Sequence, residues 1–231
     1  MRLAPTLALT AATTATALPN LAPRATPTAP ATKPTLSHSN GFYLTARLSD
    51  PAHDLNPSID GWTLGTAHTG AGLNAAVLYA ASSGAGRLFY ENGTQAQAVA
   101  GQTTLVTDGG TPLAPSSLIV QPAGQPPRII DIDYNQGTPA AVEAAGNGLG
   151  PQLVNGLGQG TFLACNATVP YYGYKFVTLQ YLYGEPGDKG QGAVPADCVP
   201  ISLVPQCTTL NDLPPGSYSS HEFAVEVACY A

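Results

Sequence analysis

Charged residues are scarce in this sequence, since Asp, Glu, Lys and Arg make up 10% of its 231 residues, against roughly 25% in an average globular protein. From residue 40 onward, five basic residues stand against fourteen acidic ones. A protein that binds nucleic acid or an anionic membrane surface needs clustered Lys and Arg to neutralise phosphate groups. The composition therefore predicts that neither nucleic acid nor a membrane is a partner.

Long apolar runs and helix-forming segments are also missing. Beyond the N-terminal region, no apolar run approaches the roughly 20 residues that a membrane-spanning helix needs. Glu and Lys, which favour exposed helix positions, are few, whereas Gly and Pro number 25 and 22. Only two Ala-rich stretches are compatible with a helix, Leu73–Ala81 and Thr138–Ala145. These absences exclude a mainly helical fold.

Short alternating segments separated by turn residues are what the sequence contains instead. From Phe42 to Leu48, apolar and polar side chains alternate with the period of a half-buried strand. Further candidate strands are Gly61–Thr66, Ala76–Ala81, Arg87–Glu91, Thr103–Thr107, Leu118–Gln121, Arg128–Tyr134, Thr161–Cys165, Tyr174–Tyr183, Val199–Val204 and Glu222–Cys229. We predict one all-β domain over residues 41–231, a disulfide-bonded sandwich or closed barrel of short antiparallel strands, with a β-trefoil-like barrel as the alternative.

The first 40 residues differ in composition from the rest. Met1 and Arg2 precede an uncharged stretch of mostly Leu, Ala and Thr that ends at Pro19. This order is typical of a signal peptide, which we predict over residues 1–19, with a disordered Ala/Thr-rich N-terminus as the alternative. Residues 20–40 are rich in Pro, Thr and Ala and have little apolar surface to bury, so we predict a disordered spacer there.

Two N-glycosylation sequons agree with export. Asn92 and Asn166 each begin an Asn-X-Thr triplet that has no Pro in the middle. The signal peptide, the sequons and an even number of cysteines together predict a secreted, extracellular glycoprotein.

The four cysteines lie in the last third of the chain, at Cys165, Cys198, Cys207 and Cys229. Three pairings are possible, and the moderate loop lengths favour Cys165–Cys198 with Cys207–Cys229. A zinc site is disfavoured because no Cys-X-X-Cys pair is present. The alternation from Glu222 to Cys229 predicts that Cys229 is buried, on the same inward face as Phe223.

Catalytic patterns are absent from the sequence. The Gly-X-Ser-X-Gly nucleophile motif does not occur, and His53, His68 and His221 have no partners at spacings that mark a catalytic triad. No carboxylate pair can be nominated for a glycosidase. We therefore predict that the protein is not an enzyme, and we nominate no catalytic, cofactor-binding or metal-binding residue.

Asp131 and Asp133 resemble the beginning of a calcium-binding loop. The glycine that such a loop requires is displaced, however, and the bidentate acid near its end is missing. In a strand, Ile130, Ile132 and Tyr134 would face the core while both aspartates face water. We favour the strand.

Tyrosine is concentrated in one stretch near residue 175. Tyr181 and Tyr183 share a predicted strand face with Val177 and Leu179, which is typical of core residues. The other members of the group are Tyr171, Tyr172 and Tyr174. We favour burial of the group in the core, and a platform of Tyr171, Tyr172 and Tyr174 for stacking sugar rings is the alternative.

Short sequence blocks recur in the same order in a known group of proteins. The blocks are Gly70–Asn74, Leu78–Ser82, Gly158–Gly160, Leu163–Cys165, Asp197-Cys198 and Ala228–Tyr230. Through them the chain resembles small secreted proteins of filamentous fungi, which include phialide-associated (phiA-like) cell-wall proteins and proteins labelled IgE-binding or left uncharacterised. The resemblance implies an extracellular or cell-wall location and carries no catalytic residues.

Three hypotheses for function follow. The first is a secreted, non-enzymatic structural or surface protein associated with a fungal cell wall. The second is an extracellular module that binds cell-wall polysaccharide or a host component. The third is a secreted hydrolase, which requires a Ser, a His and a carboxylate to meet in one cleft.

Overall fold

The computed structural model describes residues 34–144, 150–184 and 193–231. Of these described residues, 50% lie in strands and 4% in helices. The strands are β1 Leu36–Ser39, β2 Gly41–Leu48, β3 Thr63–Gly70, β4 Leu73–Tyr79, β5 Phe89–Asn92, β6 Thr104–Gly109, β7 Ala114–Ile119, β8 Asp131–Asp133, β9 Ala140–Glu143, β10 Gln152–Asn155, β11 Gly160–Val169, β12 Tyr174–Tyr183, β13 Cys198–Thr208, β14 Ala224–Val225 and β15 Val227–Tyr230. One short helix, α1, spans Gln95–Val99, and a 3₁₀ turn spans Ala81–Ser83.

Nine antiparallel strands close into a barrel. Around the ring the order is β13, β2, β5, β6, β7, β8, β4, β12 and β11, and β11 pairs with β13 again. Strand β3 pairs with both β2 and β4, and β9 and β10 form a separate two-stranded sheet. The prediction of an all-β, disulfide-bonded fold is confirmed, and of the predicted architectures the closed barrel is the one observed.

The core follows the alternation of the strands. In β2, Phe42, Leu44 and Ala46 are fully buried while the side chains between them point outward. In β12, Tyr181 and Tyr183 lie in the same core and keep their hydroxyls satisfied by carbonyl oxygens of neighbouring loops. Burial raises the pKa of Tyr181 to about 12, so that its hydroxyl stays a donor.

Two disulfides bond the last third of the chain. Cys165 pairs with Cys198 and Cys207 pairs with Cys229, which are the pairs that the sequence favoured. The first links neighbouring strands β11 and β13, and the second links β13 to β15. Cys229 is fully buried, as predicted.

The ordered fold begins earlier than predicted. Strand β1, Leu36–Ser39, lies inside the range predicted as spacer, yet it pairs residue by residue with β15. The compact unit begins at Pro34, so the predicted boundary at residue 41 is wrong. The predicted signal peptide and the spacer up to residue 33 lie outside the described residues.

Both helix-compatible stretches form strands. Leu73–Tyr79 is β4, which pairs with β3 along its whole length, and Ala140–Glu143 is β9, which pairs with β10. Strand pairing therefore overrides the helix propensity of their alanines. The helix that does form, Gln95–Val99, was not predicted. It begins at a capping box in which Thr94 and Gln97 exchange side-chain to backbone hydrogen bonds.

Two predicted core residues lie on the surface. Phe223 is 55% exposed because a turn precedes β14 and because Glu226 separates β14 from β15, so the last run is not one strand. Tyr134 is 58% exposed because β8 already ends at Asp133. Ile130 and Ile132 are buried, as predicted.

Candidate functional site

An exposed aromatic group surrounds the turn between β11 and β12. The amides of Tyr172 and Gly173 both donate to the carbonyl of Val169, and Gly173 adopts a left-handed conformation with φ of 72°. The turn thereby places Tyr171 and Tyr174 on either side of Tyr172, with ring centroids 5.2 and 5.4 Å away. We call Tyr171, Tyr172 and Tyr174 the tyrosine patch.

The tyrosine patch is exposed at its edges and anchored at its centre. Tyr171 is 61% and Tyr174 is 56% exposed, whereas Tyr172 is half-buried. Phe176 stacks against Tyr174 with ring centroids 5.0 Å apart, and with Tyr172 it packs on a small apolar cluster that includes Ala75 and Val77, on the face of β4 opposite the core. The patch is therefore a supported surface that presents ring faces and edges to solvent, rather than part of the core.

Tyr79 lies beside the inner edge of this patch. Its hydroxyl donates to the carbonyl of Thr66 at 3.2 Å. Burial, and then the neighbouring phenol of Tyr172, raise the pKa of Tyr79. The hydroxyl consequently stays protonated at neutral pH and remains a donor.

A polar cleft of about 480 Å³ adjoins the patch. Residues from β3, β4, β6 and β7 line it together with Arg87, Tyr134 and Tyr218, and we call it the Arg87 cleft. His68 belongs to this cleft and also meets the ring of Tyr171 edge-on, with centroids 6.0 Å apart. Patch and cleft therefore share a border at His68.

A buried hydrogen-bond network supports one wall of the Arg87 cleft. Asp108, which lines the cleft, lies 2.7 Å from Nε2 of His221 and accepts a hydrogen bond of 3.1 Å from the hydroxyl of Tyr90. The ring of His221 also meets that of Tyr90 edge-on at 4.8 Å. Burial, and then the Asp108 carboxylate, raise the pKa of Tyr90.

The three histidines that were weighed as catalytic bases have different surroundings. His53 lies 2.6 Å from Asp50 on an exposed loop, His68 meets the tyrosine patch, and His221 is held by Asp108. No hydroxyl of the described residues forms a hydrogen bond with any of these rings. The structure therefore does not assemble a catalytic triad from the residues that the sequence suggested.

The two aspartates of the rejected calcium loop lie on the face of β8 opposite the buried Ile132, as the strand prediction requires, but they are half-buried rather than fully exposed. An oxygen of Asp133 accepts the backbone amide of Asn74 at 2.8 Å. Burial, and then the charge of Asp133, raise the pKa of Asp131. Within the described ranges, no group of three or more His, Cys, Asp or Glu side chains is arranged to hold a metal ion.

Both sequon asparagines are exposed. Asn92 ends β5, and Asn166 lies in β11, where it lines a second cleft of about 370 Å³ together with Trp62 and Phe176. Their glycosylation stays a prediction. None of the helices in the described part of the chain is long and apolar enough to cross a membrane.

The Arg87 cleft itself was missed by sequence reasoning. Its residues come from hairpins and loops that are far apart in the chain, from Thr66 to Tyr218. The sequence contains no local pattern that could bring them together. The sequence offered the tyrosine patch as the alternative to core burial, because its three rings are close neighbours along the chain.

Fold and surface together define a class: a disulfide-bonded, closed all-β barrel that carries an exposed tyrosine patch beside a polar cleft. Residues 39–207 match the model of a family described as a domain of unknown function (DUF7907), and the chain belongs to that family. It is also 35% identical over 206 residues to antigenic protein SchS34 of Stachybotrys chartarum, an alignment that covers 85% of this chain and 88% of that protein. None of the solved structures matches.

This relative comes from a fungus, as the resemblance noted from the sequence implied. The disulfides and the antigenic relative are compatible with an extracellular protein. The finer resemblance to phialide-associated proteins and the cell-wall location stay predictions.

Proposed function

We propose that this chain is a secreted, non-enzymatic surface protein that binds cell-wall polysaccharide through the tyrosine patch. The observation that carries the proposal is the exposure of Tyr171 and Tyr174 on a supported aromatic base. Aromatic rings that remain exposed to solvent are suited to stack on the apolar faces of sugar rings.

Features of the whole chain support an extracellular setting for this binding. The domain has two disulfides, two exposed sequons and few charges. Disulfides persist mainly in oxidising compartments, and attached glycans keep a surface soluble where charge is scarce.

A depletion assay with insoluble polysaccharides tests the binding. The protein is incubated with β-glucan, chitin and mannan particles, and the unbound fraction is measured for wild type and for Tyr171→Ala with Tyr174→Ala. We expect retention of the wild type on one polymer and a loss of roughly tenfold or more in affinity for the double variant. Tyr43→Ala, which removes a 39% exposed tyrosine from β2, serves as the matched control.

The outcomes are distinguishable. Equal retention of wild type and double variant would show that the patch is not the binding surface. No retention of the wild type on any polymer would overturn the proposed function.

Culture fractionation tests the location. We expect the protein in the wall fraction and the medium, with a mass above that of the polypeptide because of attached glycans. Recovery only from the cytosol, without glycans, would contradict export.

Recognition of a host component is a second candidate, because the relative is named an antigenic protein. The same tyrosine patch would serve as the contact surface. Binding of the wild type to immobilised host glycoproteins, with no retention on wall polymers, would favour this second function.

A further inference from the structure

The Arg87 cleft presents two tyrosine rings to solvent at its rim. Tyr134 is 58% and Tyr218 is 70% exposed, although each has a backbone position that is fixed by hydrogen bonds. The amide of Tyr134 donates to the carbonyl of Gly72 at 2.8 Å, and that of Tyr218 donates to the carbonyl of Leu113 at 2.7 Å. The rim is thus built from rings on positioned backbone, which lowers the entropic cost of binding.

Hydrogen bonds within the fold position the polar groups of the cleft, and these groups can form further hydrogen bonds with a ligand. Arg87 donates from Nε to the hydroxyl of Thr66 at 3.2 Å, and its two terminal nitrogens form no ion pair with a carboxylate of the described residues. The side-chain nitrogen of Asn74 donates to the carbonyl of Ile132 at 2.9 Å, which leaves the amide oxygen as an acceptor.

The charges in the cleft are mixed rather than of one sign. Arg87 is accompanied by Asp108, and Asp133 is bonded to the backbone of Asn74, another lining residue. A strongly anionic or cationic ligand would meet like charge in such a cleft. A neutral ligand with many hydroxyls, which both donate and accept, is matched by this set of groups.

His68 connects the cleft to the tyrosine patch. It lines the cleft and meets Tyr171 edge-on at 6.0 Å, so that aromatic groups continue from Tyr174 through Tyr172 and Tyr171 to His68 in the cleft. A single sugar would occupy only one of these places. A linear chain of sugars could use both.

We infer that the Arg87 cleft is a second subsite for a neutral polysaccharide, so that patch and cleft bind one chain over several sugar units. The inference rests on the proposed function, because it assigns the ligand of the patch to the cleft as well. In this arrangement Tyr134 and Tyr218 stack on sugar rings, and Arg87 and Asn74 form hydrogen bonds with their hydroxyls.

Titration calorimetry with soluble β-glucan and chitin oligosaccharides tests this inference. We expect the hexasaccharide of one series to bind roughly tenfold or more tightly than its disaccharide, because only the longer chain reaches both places. Tyr218→Ala, Tyr134→Ala and Arg87→Gln should each weaken hexasaccharide binding by roughly tenfold. They should weaken disaccharide binding less, because a disaccharide needs only one of the two places and the patch stays intact.

The controls separate binding from folding and from charge. Tyr43→Ala should bind like wild type, and thermal unfolding of every variant checks that the barrel is intact. If Arg87→Gln does not fold, Tyr134→Ala and Tyr218→Ala still test whether the cleft binds the sugar chain. An oligogalacturonate of matched length should bind more weakly than the neutral hexasaccharide, and tighter binding that Arg87→Gln abolishes would overturn the neutral class of ligand.

The inference about the cleft and the proposed function can fail separately, and the two failures give different experimental results. If Tyr171→Ala weakens binding but the cleft variants bind the hexasaccharide like wild type, the cleft inference is overturned and the proposed function stands. If only the cleft variants weaken binding, the patch is not part of the site and the one-chain arrangement is overturned. If the wild type binds no oligosaccharide and no polymer, both are overturned.

Discussion

Glu91 is the carboxylate most completely removed from water among the described residues. It lies in β5, where one oxygen accepts a hydrogen bond of 2.7 Å from the hydroxyl of Thr103 and the other accepts the backbone amide of Val142. Burial raises the pKa of Glu91, and the two hydrogen bonds oppose this shift without cancelling it. The side chain ties β5 to β9 at the cost of keeping a carboxylate in the interior.

A pH-dependent stability follows from the shift. Because the pKa of Glu91 is higher in the folded than in the unfolded protein, its contribution to the free energy of unfolding is largest at low pH and falls as pH rises through the folded-state pKa. In Glu91→Gln the amide oxygen can still accept from the amide of Val142, and the amide nitrogen can donate to the hydroxyl of Thr103, which also lies 3.3 Å from the carbonyl of Ala140 as an alternative acceptor for its own proton. The variant thus keeps both neighbours without the charge. We expect the variant to lose this part of the pH slope and to be as stable as wild type, or more stable, at neutral pH.

Urea denaturation between pH 4 and 8 measures the effect, a window that contains the ordinary pKa of a Glu carboxyl and values above it. Glu143→Gln removes a charge from an exposed position of β9 and is the matched control. Identical pH slopes for wild type and Glu91→Gln would contradict the prediction.

Glycosylation can likewise be tested by substituting single residues. Asn92 and Asn166 are both exposed, so an oligosaccharide can be attached without disturbing the core. We expect Asn92→Gln and Asn166→Gln each to lose one glycan, seen as a step in electrophoretic mobility, and the double variant to be unaffected by an N-glycosidase. Unchanged mobility of the glycosidase-treated wild type would show that neither site is used.

Strands β1 and β15 share only a short pairing with the barrel. Strand β15 pairs with β13 at one position only, Gln206 opposite Tyr230, and β1 pairs with β15. The Cys207–Cys229 disulfide supplies the covalent link that this short pairing lacks. By contrast, the strands joined by Cys165–Cys198 already share a ladder of four residue pairs.

Removing the two disulfides separately should therefore have different effects. We expect the double substitution Cys207→Ser with Cys229→Ser to cost about 2–4 kcal/mol in the free energy of unfolding and to release β1 and β15 first. Hydrogen exchange would show this as a loss of protection at Leu36–Ser39 and Val227–Tyr230. Cys165→Ser with Cys198→Ser is the control and should leave protection of β1 and β15 in place. Equal protection in both double variants would contradict the prediction.

The molecule as a whole is stabilised by one apolar interior that the closed barrel encloses. Leu118, in β7, is fully buried in this core, whereas Val99, at the end of α1, is 83% exposed. We expect Leu118→Ala to lower the free energy of unfolding by about 2–5 kcal/mol, through lost burial and the cavity that remains. Val99→Ala should change it by less than about 0.5 kcal/mol. Chemical denaturation measures both, and similar losses would contradict a single closed core.

Strand positions and inward faces were determined by the sequence alone wherever the alternation was strict. Strand β12 has the predicted bounds, and Phe42, Leu44 and Ala46 face inward, because a period of two is a local property of an extended chain. The same reasoning correctly placed Cys229 in the core. It failed for Phe223 and Tyr134, where a turn or a strand end interrupts the period.

Only the tertiary structure decided how the strands close and what the closed surface displays. The ring is completed by single pairs such as Ala75 opposite Asp131 and Phe42 opposite Phe89, which join segments distant in sequence. That long-range pairing brought Arg87, Tyr134 and Tyr218 into one cleft beside the tyrosine patch. Pairing with β3 and with β10 made strands of the two Ala-rich stretches. Propensity and periodicity describe a residue and its near neighbours, whereas closure and clefts depend on contacts between distant segments, which no local pattern encodes.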